Sequence, residues 1–217
     1  MIEVIGDSHT FIFTGSDVAE PTRDRENGFC GFHIQYIGPV LAWSLTHAGA
    51  GRDLFWRSIG NVPPGSTILT VFGEIDCRAH LYRQAIKQKR NMRLVAEDCA
   101  SMYADVLEEV RNRGHFPVAW SVIPATNFPV LSKKWPAEGT LRERRAIIEA
   151  FNAQLAAKTT TASVYGELVR EDGSVREEFY LDAIHLSKKA LPMAKAEIER
   201  AIEMRGPAGL GEDFRAK

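Results

Sequence analysis

Three side chains with chemical capacity, Asp7, Ser8 and His9, follow directly on the first apolar run of the chain, in MIEVI-GDSH. A serine so placed becomes a nucleophile when a base takes its proton, a third group orients that base, and donors receive the oxyanion. The expected base is a histidine, whose unperturbed pKa lies near neutrality. Of the six histidines, His185 is set apart by Asp182, three residues ahead of it in Tyr180-Leu181-Asp182-Ala183-Ile184-His185. A short turn lets that carboxylate reach the imidazole, hold its tautomer and stabilise the imidazolium. Ser8, Asp182 and His185 are therefore the candidate catalytic residues, drawn from opposite ends of the chain.

The same letters hold other chemistry. Asp7 and His9 have the Asp-x-His spacing of a metal pair, and Gly73-Glu74-Ile75-Asp76-Cys77-Arg78 distantly resembles the second block of metal-dependent phosphoesterases. Such enzymes also need a Gly-Asn-His block, and here Asn61 is followed by Val62. No metal and no other cofactor is expected. A bare turn also accounts for Gly6-Asp7-Ser8, because Asp and Ser bond nearby backbone. Asp7 is expected to brace that turn, and Glu74, Asp76 and Arg78 to form a supporting ion-pair cluster behind the site.

The elements that must position these groups can be read from periodicity and turn signals. Met1–Ile5, Phe32–Ile37, Ser66–Phe72, Pro117–Ile123 and Thr161–Tyr165 read as strands. Val40–Ala48, the later part of Leu81–Arg113, Leu141–Lys158 and Ser187–Met204 read as helices, with Gly114 stopping the second and Ser187 capping the last. Thr14–Gly28 and Asn127–Gly139 read as loops, the latter a candidate lid, and Gly206–Lys217 as a flexible tail after a single domain spanning 1–205. Strands alternating with helices predict an α/β fold, a mostly parallel sheet covered on both faces, with its site beyond the carboxyl ends of the strands.

Composition narrows the partners. With 27 basic and 28 acidic residues the net charge is −1, which argues against a dedicated nucleic-acid binder. No stretch approaches the roughly 20 apolar residues of a membrane span, and no secretory leader is read at the start. Cys30, Cys77 and Cys99 are odd in number and lack metal-ligand spacing, which fits reduced thiols and a cytoplasmic location.

GDSH near one end, Asp-x-x-His near the other, and five strands alternating with helices together resemble the SGNH (GDSL) hydrolases. The resemblance implies a three-layer, flavodoxin-like α/β/α fold with a five-stranded sheet, and a Ser-His-Asp triad of Ser8, His185 and Asp182 acting on an ester. It also implies oxyanion donors: the Ser8 N–H, a glycine N–H after the second strand, matched by Gly38 with Gly60 as runner-up, and an asparagine after the third. Ile75 stands where that asparagine belongs, and a hydrocarbon donates nothing; Arg78 and Asn127 are the candidates to replace it. The variant FGEIDCR resembles a bacterial subgroup linked to surface-polysaccharide genes, which suggests an O-acetyl ester on a carbohydrate or small molecule. O-acyl transfer to a sugar on the same triad, a non-catalytic glycan-binding or scaffold role, and a metal-dependent phosphoesterase are the alternatives.

Overall fold

The computed structural model describes residues 1–17, 26–27, 29–130 and 133–204. Five strands run parallel: β1 (Ile2–Gly6), β3 (Phe32–Tyr36), β4 (Thr67–Val71), β5 (Phe116–Trp120) and β6 (Thr161–Ala162). A two-residue strand β2 (Glu26–Asn27) adds an antiparallel edge on β3 that the sequence does not announce, giving the order β2-β3-β1-β4-β5-β6. The helices are α1 (Ala42–Leu45), α2 (Ala50–Gly60), α3 (Leu81–Gln88), α4 (Met92–Asn112), α5 (Leu141–Lys158) and α6 (Leu191–Glu203).

The parallel strands alternate their side chains between two cores. Ile5, Ile68 and Ala119 face one side, under α1 to α5. Val4, Leu69, Val71, Val118 and Trp120 face the other, under α6 and the short helical segment Ser8–Thr14. Both faces are covered, so β1 is buried along its whole length and β4 and β5 beyond their first residue, as a parallel sheet requires. β1 lies centrally, with β3 on one side and β4 on the other. The chain leaves β1 towards β3 but leaves β4 towards β5, so the crevice between the ends of β1 and β4 is the topological switch point where doubly wound folds bind ligands.

Several elements depart from the sequence reading. Val40–Ala48 is helical only over Ala42–Leu45, and the following helix α2 went unread. Its glycines concealed it: at Gly51 a Cβ would come within 3.2 Å of both Val40 and Ser44, a tight fit where α2 packs on α1. Leu81–Arg113 is two helices, broken at Lys89, whose φ is 52°. The last strand closes after two residues, and α6 begins only at Leu191 behind a short 3-10 turn; the Ser187 hydroxyl caps neither. The C-terminal stretch from residue 205 lies outside the described residues, as do residues 18–25 and 28 of the loop read over Thr14–Gly28.

Candidate active site

β1 delivers Ser8 to the switch point through a turn with no room for a side chain at its entry. A Cβ on Gly6 would lie 2.3 Å from the Val71 carbonyl oxygen of β4, so position 6 takes only glycine. The chain is anchored there: the Asp7 N–H donates to Val71 O at 3.1 Å, and Asp7 Oδ1 accepts from the His9 N–H at 2.9 Å. Asp7 is thus the brace expected of it, N-capping the Ser8–Thr14 segment while wholly buried.

The Asp182–His185 turn meets Ser8 from the far end of the chain. Ser8 Oγ lies 2.8 Å from His185 Nε2, and His185 Nδ1 lies 2.7 Å from Asp182 Oδ2. Asp182 Oδ1 accepts from the Ile184 and His185 N–H groups, both at 2.8 Å, which leaves Oδ2 aimed at the ring. A carboxylate at Nδ1 makes that nitrogen the donor and leaves Nε2 the acceptor for a serine proton. Partial burial pushes the Asp182 carboxyl up, but the bonds from the His185 ring and the two amides outweigh it and hold it far below its ordinary range.

Residues after β5 hold this turn in place, and the sequence reading passed them over. The Thr126 hydroxyl donates to Ala183 O at 2.7 Å, and the Tyr180 hydroxyl donates to Pro124 O at 2.8 Å. The Asn152 amide of α5 clamps Val122 at both its N–H, 2.9 Å, and its carbonyl, 2.7 Å. Two rings flank the His185 imidazole: Phe11 stacks at 5.8 Å and His9 lies tilted at 5.0 Å between centroids.

Behind His9 runs a line of alternating charge. Arg78 Nε donates to Glu74 Oε1 at 2.7 Å, and Glu74 Oε2 lies 3.3 Å from His9 Nε2, all three side chains nearly buried. Burial opposes the charge on Glu74, yet His9 and Arg78 pull its pKa down to about 2. Burial likewise disfavours the His9 cation, but Asp7 and Glu74 together hold its pKa above the ordinary value. Of the expected cluster of Glu74, Asp76 and Arg78, Glu74 and Arg78 pair and reach His9, while Asp76 stands apart. No signal in a single sequence marks residues 9 and 74 as partners.

Asp76 belongs to a different support. Its Oδ2 accepts from the Ala42 N–H at 2.8 Å and its Oδ1 from the Trp43 N–H at 3.0 Å, so it caps α1 from across the fold. Burial pushes its pKa up to about 7, while the two amides it serves favour the carboxylate. The segment it fixes leads directly back to Gly38, whose φ of 93° is open to glycine and closed to most residues. The Ile37 N–H donates to Gly6 O at 2.9 Å, which sets Gly38 beside the entry to the Ser8 turn. Among the described residues, neither the Ser8 nor the Gly38 N–H donates a backbone hydrogen bond. Gly60 instead closes α2, ahead of the start of β4.

Ile75 is 4% exposed, a core residue. Of the two candidates to replace an asparagine there, Arg78 turns to Glu74 and to the Trp135 carbonyl, while Asn127 is exposed. Asp7 and His9 do not present a metal pair, since Asp7 Oδ1 takes the His9 amide and the His9 ring turns to Glu74. Among the described residues no three His, Cys, Asp or Glu side chains are grouped to hold a metal ion. Cys77 and Cys99 are buried free thiols, their pKa values raised well above normal by burial. No helix among the described residues is long and apolar enough to cross a membrane.

No protein-family model matches the chain, and no curated protein matches it. Solved structures do. A GDSL-like lipase from Bacteroides thetaiotaomicron superposes with a TM-score of 0.61 at 16% identity, over 94% of this chain and 88% of that one. An inhibitor-bound aryl esterase of M. smegmatis superposes with a TM-score of 0.55 at 15% identity, over 94% and 97%. The OSK domain of Drosophila Oskar does so at 0.55 and 14%, over 92% and 87%. Parallel strand order, covered faces and these superpositions agree: this chain has the SGNH/GDSL hydrolase fold.

Proposed function

We propose that the chain is a serine hydrolase of O-acyl esters, with Ser8 as nucleophile, His185 as general base and Asp182 as the group that orients it. The observation that carries this reading is the unbroken line Ser8 Oγ–His185 Nε2–Asp182, at 2.8 and 2.7 Å, at the switch point of the sheet. His185 takes the Ser8 proton as Oγ attacks the ester carbonyl. Asp182 stays ionised throughout the working range and steadies the imidazolium. The Ser8 and Gly38 N–H groups receive the oxyanion, with Asp76 fixing the loop that carries Gly38. The imidazolium then protonates the departing alcohol, and water, deprotonated in turn by His185, releases the acid. A carbohydrate O-acetyl ester is the substrate class suggested by the FGEIDCR stretch, and a sugar hydroxyl in place of that water would make the same residues an acyltransferase. The test is hydrolysis of 4-nitrophenyl acetate by the native chain, Ser8→Ala and His185→Ala. Turnover lost in both variants supports the reading; turnover indifferent to Ser8→Ala overturns it.

A further inference from the structure

A small recess of about 20 Å³ opens beside the turn that carries His185, walled by Ala183 and Ile184 of that turn and by Ile123 and Ile148. Two guanidiniums, Arg78 and Arg144, one carboxylate, Glu74, and Thr126 line this otherwise apolar space. Each guanidinium has five N–H donors. Arg78 spends donors on Glu74 and the Trp135 carbonyl, Arg144 on the carbonyls of Gly139, 3.0 Å, and Thr126, 3.3 Å. Arg144 thus satisfies neutral oxygens and has no carboxylate as a hydrogen-bond partner among the described residues. Cations withdrawn from water are normally matched by an anion. Here Glu74 is already shared between Arg78 and His9, so the recess keeps a net positive charge. Burial, followed by the proximity of Arg78, lowers the Arg144 pKa, and the pull of the shared Glu74 does not offset them.

We propose that this recess receives a carboxylate carried on the alcohol half of the ester, held by Arg144 and Arg78. The placement rests on the proposed hydrolase reading, in which His185 Nε2 gives its proton to the leaving alcohol, so the alcohol departs on the His185 side. The Ile123, Ile148 and Ile184 side chains take the carbon frame between ester and carboxylate. A charge-assisted fork of this kind is worth ten-fold or more in selectivity over a neutral isostere.

The experiment compares 4-acetoxybenzoate with 4-acetoxybenzamide, the same acetate ester with and without the charge. The native chain is expected to favour the carboxylate by ten-fold or more in kcat/KM. Arg144→Gln is expected to bring the ratio within about three-fold of unity, and Arg144→Lys, which keeps the charge but not the fork, to restore only part of it. Labelling of Ser8 by a fluorophosphonate reports on the triad separately and shows that each variant is folded. Where neither ester turns over, protection of Ser8 from that label by 4-hydroxybenzoate rather than 4-hydroxybenzamide decides the same question. Absence of labelling overturns the hydrolase reading itself. Labelling with equal use of, or equal protection by, the charged and neutral molecules overturns the anion recess alone, as does an Arg144→Gln variant that leaves the ratio unchanged.

Discussion

Replacing Glu74 with glutamine keeps the volume of the side chain and removes the one negative charge between Arg78 and His9. Glu74 is 12% exposed on its side chain, and it meets Arg78 at 2.7 Å and His9 at 3.3 Å. The amide oxygen can still accept from Arg78, but the amide NH₂ then faces the His9 ring, and two cationic groups lose their shared counter-charge. Breaking a buried pair by removing one partner costs about 3–5 kcal/mol, against about 5–15 kcal/mol for the whole stability of an ordinary domain. With a urea slope of about 2 kcal/mol per molar, the unfolding midpoint at pH 7 should fall by roughly 1.5–2.5 M. Adding His9→Phe to Glu74→Gln should recover part of that loss, because one stranded cation disappears with it. The assay is urea unfolding followed by tryptophan fluorescence, on the native chain, both single variants and the double. A midpoint shift below about 0.5 M for Glu74→Gln would place the pair among weak surface-type contacts. Strict additivity in the double variant would equally refute the coupling.

Further outcomes follow from the same geometry. His9 is held above its ordinary pKa, chiefly against burial, by Asp7 and Glu74. Its contribution to stability is therefore complete below about pH 6.5 and is lost as pH rises through the folded value, so the stability gap between native and His9→Gln should shrink between pH 6 and pH 9. Asp76→Ala strands the Ala42 and Trp43 amides in the interior, at about 1–3 kcal/mol each, and should slow fluorophosphonate labelling by loosening the Gly38 loop; unchanged labelling would detach Asp76 from the site. Thr126→Val deletes the tie to Ala183, and should lower kcat about ten-fold while leaving the unfolding midpoint within about 0.5 M of native. Asp182→Asn leaves the turn but offers the wrong partner to Nδ1, and should cost about three to four powers of ten in labelling rate.

Much of the sheet could be read from the sequence because buried parallel strands are short apolar runs ended by Gly or Pro, as at Ile2–Gly6 and Thr67–Val71. Leu141–Lys158 could be read to the residue because Thr140 and Glu143 form a capping box at its start and Thr159 leaves helical geometry at its end. Helix α2 could not, since Gly51 and Gly60 are poor helix formers, and the close approach of Gly51 to Ser44 of α1 exists only in three dimensions. The same divide runs through the site. Asp182 and His185 lie three residues apart and announce a local turn, while Ser8 announces itself by its place after a strand. His9–Glu74, Asp76–Ala42 and Thr126–Ala183 are pairs 65, 34 and 57 residues apart, and nothing in either partner's neighbourhood names the other. Asn127–Gly139 reads as a loop and candidate lid because of its prolines and lysines, and the contacts that fasten its later part lie far off in sequence: Arg78 reaches the Trp135 carbonyl, Glu138 N–H donates to Arg78 O at 2.9 Å and Arg83 meets Glu138 at 2.6 Å.

The most direct test of the proposed chemistry is to treat the native chain with a fluorophosphonate and map the adduct by mass spectrometry. A serine activated through His185 and Asp182 predicts one modified residue, Ser8, with labelling abolished in Ser8→Ala and His185→Ala. A native chain that stays unlabelled, or that labels elsewhere while Ser8 remains free, would contradict it.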